Sequence, residues 1–329
     1  MADSRSSAVR RALGALRIEG PLAYSWFGER FELDESRFAR VPEEAVWQAL
    51  TRWVQIRLYS DFYTQGTPVP AIDRRLVFTR SGDRELVHAL SAANRGDGAR
   101  QSGWAVVGTK ANAVTIARDG VTIEAPRDRY VPDGGGDPRA GASGTLLLPN
   151  GLPDRAPGYY LALGNRVPEG HVPRARIYWN LTAAGSIAVL AALTGMLNEA
   201  TIPYEYKCLS DESAYRRCDT GVLYLHRDDL DRAREIACGV AVAHPGALKP
   251  RAPALTAPIA PGVAWADDPG SGESFGMHRC GLIATGVVGA FRNGATDVLA
   301  CVRGEFEAAG LDFGRPHLAP AQSRESVPA

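Results

Sequence analysis

Lysine is nearly missing from this sequence. Of its 37 basic residues, only Lys110, Lys207 and Lys249 are lysines; the other 34 are arginines. Net charge is missing too. The 37 acidic residues balance the basic ones, so no global field draws the chain to nucleic acid or to a membrane surface. No stretch approaches the ~18 uncharged apolar residues of a membrane-spanning helix, and the opening MADSRSSAVRR lacks the apolar core of a signal peptide. The five cysteines (208, 218, 238, 280, 301) are odd in number and include no C-x-x-C pair. They read as small buried thiols in a reducing cytoplasm, which excludes a disulfide framework and a zinc site. The six histidines (88, 171, 226, 244, 278, 317) never recur at helical or turn spacing, so neither a metal nor another cofactor is expected.

What remains is ordinary globular material, 45% apolar and 8% aromatic over 329 residues, enough for one large domain or two modest ones. The first seventy residues read as helical. In EEAVWQALTRWVQIRLYSDFYTQG, Val46, Leu50, Trp53, Val54 and Leu58 form one stripe and Gly66 offers a stop. From 103 to 124 the pattern turns to strands, with Asp119-Gly120 as a hairpin signal. YVPDGGGDPRAGASG (130–144) reads as a flexible loop. Strands follow at TLLLP, GYYLALG, ARIYWNL, YEYKCL and GVLYL, and helices at 183–199, 229–243, about 273–292 and about 296–309. The Pro-rich 250–262 reads as extended and the tail as disordered. These mixed runs predict an α+β fold: a mixed, largely antiparallel sheet flanked by helices, with an N-terminal helical region at 1–70, a main α+β domain at 71–315 and a disordered tail at 316–329.

Two motifs imitate nucleotide sites and fail. GWAVVGTK (103–110) has Gly-Thr-Lys where a phosphate loop needs Gly-Lys-Thr, and its centre is a strand. LHRDDLDRA (225–233) has the His-Arg-Asp of a kinase loop without its Asn or an Asp-Phe-Gly; Asp228 and Asp229 are expected to cap and charge a helix start.

A third constellation survives. In RARIYWNL, Arg174, Arg176, Tyr178 and Asn180 share one strand face, and in YEYKCL Glu205 and Lys207 share one. Arg216, Arg217 and Asp219 follow. Cations and a phenol on consecutive strands suit a phosphate, although a solvated face with Lys–Glu and Arg–Asp pairs is the plainer alternative. Further on, Ser271 or Ser274 can cap a helix in PGSGESFGMHRCGLIATGVVGAF. Its first amides favour an anion, and His278 and Arg279 lie in its first turns.

The ordered set LYSDFY, SAANRGDGARQSGW, GYYLALGN, RIYWN, LTGMLNEATIPYEYK, YRRCDTGVLYL and GESFGMHRCGLIA resembles the HopA-type effector proteins of plant pathogens. It is closer still to their relatives in peptide-natural-product clusters, the lyases of class V lanthipeptide and thioamitide biosynthesis. The likeness covers roughly 50–315. It implies an α+β fold and elimination of phosphate from phosphoserine or phosphothreonine in a precursor (leader-core) peptide, giving dehydroalanine or dehydrobutyrine. It also implies a separate kinase-like partner that installs the phosphate. Such an elimination needs a base, a cationic clamp and an acid. Lys207 is the expected base, its pKa lowered by neighbouring arginines, with Lys110 as rival. Arg174, Arg176, Arg216, Arg217 and Arg279 are clamp candidates, with Asn180 as a neutral contact. His278 or Tyr178 would be the acid, with His278 preferred. The other reading is a noncatalytic HopA-like binding protein or scaffold for a kinase and precursor peptide.

Overall fold

The structure is a computed structural model and describes residues 2–72, 82–168 and 172–320. Helix α1 (Ala2–Ala15) leads into a three-stranded meander, β1 (Leu16–Gly20), β2 (Ala23–Trp26) and β3 (Glu29–Glu32), before the long helix α2 (Glu43–Asp61). The first seventy residues are therefore not all helical. The correction follows from period-two alternation in LRIEG, where Leu16 is buried while Arg17 and Glu19 are exposed. A 3-10 turn (Tyr63–Gln65) closes α2. It stops at Gly66, whose φ of +73° is left-handed and whose missing Cβ leaves room for the Ala252 carbonyl. On α2, Val46, Leu50, Val54 and Leu58 are buried as expected, but Trp53 is 41% exposed and Trp47 points inward instead.

After α3 (Arg84–Ala93) comes a five-stranded antiparallel sheet: β4 (Arg100–Thr109), β5 (Ala113–Arg118), β6 (Val121–Pro126), β7 (Tyr130–Pro132) and β8 (Ser143–Leu147), in the order β6-β5-β4-β8-β7. Its hairpin turn at Asp119-Gly120 has positive φ at both residues, as the dipeptide predicts. Trp104, Val106, Val114, Ile116 and Leu146 give this sheet a small core of its own.

The main sheet has seven strands: β9 (Gly151–Ala156), β10 (Tyr159–Leu163), β11 (Arg174–Trp179), β12 (Tyr204–Leu209), β13 (Gly221–His226), β14 (Ala257–Ala260) and β15 (Val263–Asp267). Every pairing is antiparallel, in the order β14-β15-β11-β13-β12-β10-β9. Four more helices complete the fold: α4 (Ala183–Glu199), α5 (Leu230–Ala243), α6 (Phe275–Arg292) and α7 (Val298–Ala308). The α+β architecture and these helix positions agree with the sequence reading. Asp229 occupies the N-cap position of α5 but makes no capping hydrogen bond, so it contributes charge alone.

Strand alternation gives the main sheet two cores. Ala175, Ile177, Trp179, Tyr204, Tyr206, Leu223 and Leu225 face α4 and α5. The opposite face carries Tyr178 and Val222 into a second core shared by α1, α2, α6, α7 and the meander. This second core joins residues 8–62 to 254–313, so 1–70 packs as part of the main body.

The tail also departs from expectation up to Pro320. His317 is buried, its carbonyl accepts from Asp267 N, and Asp267 Oδ2 accepts from Ala319 N. Residues 321–329 lie outside the described residues. Cys208, Cys218 and Cys280 are buried as expected, whereas Cys238 is exposed and Cys301 partly so. No described helix is long and apolar enough to cross a membrane.

Candidate active site

Register sets the site. Lys207 on β12 pairs with Val222 on β13, which pairs with Tyr178 on β11; Tyr224 and Arg176 pair one step along. All five side chains share the face turned toward α2 and α6. Valine is the smallest of them, and its position between Lys207 and Tyr178 leaves a hollow. Lys207 Nζ lies 4.9 Å from the Tyr159 ring centre and 5.4 Å from that of Tyr224. Arg176 Cζ approaches Tyr224 from 5.1 Å, so this phenol ring bridges two cations.

Helices supply the opposite wall. Tyr59 and Tyr63, four residues apart on one helical face, stack at 5.4 Å. Ser274 caps α6, its Oγ accepting from Met277 N at 3.2 Å, and it lines the same pocket. The amides of Phe275 and Gly276, at the first two helical positions, have no acceptor within the helix. Gly276 is required here: a Cβ would stand 2.3 Å from the Tyr63 ring, so only glycine lets that ring lie on the first turn. The space enclosed is about 30 Å³, room for about one water.

The charges are distributed unequally. Arg217, 2% exposed, forks onto Asp219 through Nε and Nη2, and Nη2 also donates to Tyr59 Oη at 2.7 Å. Arg176 holds Asp268 through Nε and Nη2 and donates to the Glu273 carbonyl, leaving Nη1 uncommitted among the described residues. No carboxylate among the described residues lies within ion-pair distance of Lys207, the half-buried cation at the centre. Burial pulls its ammonium pKa down, but Tyr224, Tyr159 and Asp219 outweigh that and hold it above the ordinary lysine value. This corrects the expectation that arginines depress it: their charge is met by Asp219 and Asp268. The buried Tyr178 hydroxyl has no partner in good hydrogen-bonding geometry, although Tyr63 is near enough to couple with it. Burial, opposed in part by Arg176, raises its pKa and keeps it protonated.

The structure thus brings together Lys207, Arg176, Tyr178 and the Ser274-capped helix, which the sequence had given as separate fragments. Arg217 is adjacent but engaged with Asp219. The other candidates do not line this pocket. Among the described residues Arg174 reaches Glu205, at 3.8 Å, and the Pro168 carbonyl. Asn180 holds the 248–262 loop by donating to the Arg251 carbonyl, and Arg216 is exposed. Lys110 pairs with Glu124 on the five-stranded sheet, and Lys249 donates to the Tyr215 carbonyl. Arg279 is 1% exposed and spends its donors on His278 Nδ1 and the carbonyls of Pro316 and Leu318; burial pushes its pKa down to about 10. His278 is lowered by burial and by Arg279, which favours the neutral ring. It is therefore poorly placed as an acid, and the preference reverses toward Tyr178. Sequence reasoning missed Tyr59, Tyr63, Tyr159 and Tyr224 as pocket residues, and read Asp219 only as a possible partner of an arginine. The i,i+4 phenols of LYSDFY were the available signal.

Fold and site together describe an antiparallel α+β protein with a sheet-face pocket of cations and phenols. The HopA1 effector protein family matches residues 152–318, half of the chain, and the chain belongs to it. That segment includes every pocket residue except Tyr59 and Tyr63. Among solved structures, the chain is similar to the effector protein from Pseudomonas syringae pv. tomato strain DC3000, with 14% identity and a TM-score of 0.48, covering 82% of this chain and 95% of that one. It is similar also to the effector from Pseudomonas syringae pv. syringae strain 61, with 12% identity and a TM-score of 0.44, covering 82% and 96%. A comparison with curated protein sequences found no match.

Proposed function

We propose that this protein is a phosphoserine/phosphothreonine lyase that eliminates phosphate from a cytoplasmic precursor peptide during lanthipeptide biosynthesis, after a separate kinase-like protein has phosphorylated it. The observation that carries this reading is the convergence on one pocket of an amine without a carboxylate partner and an arginine with an uncommitted nitrogen, both among the described residues, a buried phenol and a helix N-terminus. Each group has a task in β-elimination. Neutral Lys207 removes the α-proton, and the electron pair left on Cα forms the Cα=Cβ bond. The Cβ–O bond breaks, Tyr178 protonates the bridging oxygen, and inorganic phosphate departs. Arg176 Nη1 and the first amides of α6 hold the phosphate throughout. A phosphorylated side chain exceeds the present space, so entry requires the partly exposed rings of Tyr59, Tyr159 and Tyr224 to swing outward.

The test is incubation with a synthetic phosphothreonine peptide, read by mass. Elimination removes the elements of H₃PO₄, a phosphatase removes those of HPO₃, and an unchanged mass favours the binding-protein alternative.

A further inference from the structure

A second cavity lies apart from that pocket. It measures about 750 Å³, within the range of ligand sites, and is formed by the outward face of the meander, the end of α1 and the turn after Tyr63. Arg17 on β1 stands opposite Ser25 on β2, and Arg11 of α1 shares the lining. Neither arginine has a carboxylate partner among the described residues. The one acid there, Glu19, is paired with Arg30. The groove is therefore cationic.

It also presents an aromatic ring at a conformational cost. Phe27 and Gly28, the two-residue turn between β2 and β3, both have positive φ, at 52° and 80°. Such a turn favours Asn-Gly or Asp-Gly. The β5–β6 hairpin of this same chain uses Asp119-Gly120. A bulky aromatic in left-handed backbone is disfavoured, and Phe27 recovers little by burial, being 49% exposed beside the groove. Its ring packs edge-to-face with Trp26 at 5.3 Å, and the exposed remainder offers the groove an apolar contact.

The groove and the pocket are close along the chain. Tyr63 lines the pocket, and Thr67 and Pro68 line the groove. The Trp26 Nε1 to Val69 carbonyl bond, at 2.7 Å, ties that segment to the meander. Four residues span at most ~14 Å, so one extended peptide reaches both places.

We infer that this groove docks an acidic segment of the peptide substrate, a few residues away from the residue that enters the pocket. The inference rests on the lyase reading for the identity of the peptide. The test uses two fluorescent, unphosphorylated peptides, one with an Asp/Glu-rich segment and one with Asn/Gln at the same positions, together with their phosphothreonine counterparts. Wild-type protein should bind the acidic peptide more tightly by anisotropy, with an advantage that shrinks as salt rises. In R11E/R17E, and more mildly in R11Q/R17Q, that affinity should fall about three- to thirty-fold, as expected for two exposed ion pairs. KM for the acidic phosphopeptide should rise in parallel with kcat unchanged, and the neutral peptide should be unaffected. Equal binding of both peptides by wild type, or equal losses for both in the variants, overturns the proposal. A concentration-dependent dimer that R11E/R17E dissociates also overturns it, assigning the groove to a second copy. Acidic-peptide binding without elimination would sink the lyase reading and leave the groove standing as an acidic-peptide site.

Discussion

Lys207 is the point at which the proposed chemistry is most exposed to test. Its pKa is held above the ordinary 10.5 by two phenols and Asp219, and a bound phosphate would raise it further. At pH 7.5 the neutral amine is then below about one part in a thousand. If that amine takes the α-proton, kcat/KM should climb about tenfold per pH unit from 7 to at least 9. The assay is initial-rate mass spectrometry on a phosphothreonine peptide at constant ionic strength. Replacing Lys207 by arginine keeps the positive charge and removes the titratable amine, so the rate should fall by ~10²–10⁴, with phosphopeptide affinity nearly retained. A profile flat above pH 7, or near-normal turnover in Lys207→Arg, would refute the assignment and reduce Lys207 to a fixed charge.

Tyr178→Phe should slow elimination and be partly rescued by a substrate with a better leaving group, whereas His278→Ala should retain activity; rates with two leaving groups compare them. Arg176→Ala should weaken binding of the phosphorylated peptide by about ten- to a hundred-fold relative to its unphosphorylated form, from the loss of ~1.5–3 kcal/mol in a charge-assisted contact, as calorimetry can measure. Arg217→Met should behave differently. It leaves Asp219 buried and unpaired, so unfolding in denaturant should show a loss of about 3–5 kcal/mol, with equal effects on both peptides.

Much of the fold could be read from period alone. Of the two serines offered as a cap, the structure uses Ser274, and the alternation in RARIYWNL and YEYKCL correctly separates the two sheet faces. What period does not give is which face is buried against what. The face with Arg176 and Tyr178 read equally as a phosphate site or a solvated surface, and α2 and α6 cover it. Nor does it distinguish a working arginine from a structural one: Arg176, Arg217 and Arg279 are all buried, and only their acceptors tell them apart. The meander was lost because its strands are four or five residues long, beneath the reach of a helical window, and the pocket phenols because they are scattered from 59 to 224.

The second core has a consequence for how the protein is made. Leu50, Val54 and Leu58 share a core with α6, which packs on α2 from more than 200 residues further along the chain. At the ~5–20 residues per second of translation, that apolar stripe waits ten to forty seconds for its cover. During that interval the nascent chain is a natural client for chaperones. The pocket is divided in the same way, with Tyr59 and Tyr63 emerging early and Ser274 late. An abandoned nascent chain therefore carries phenols and cations but no complete pocket, because the wall that Ser274 supplies forms only once α6 has emerged.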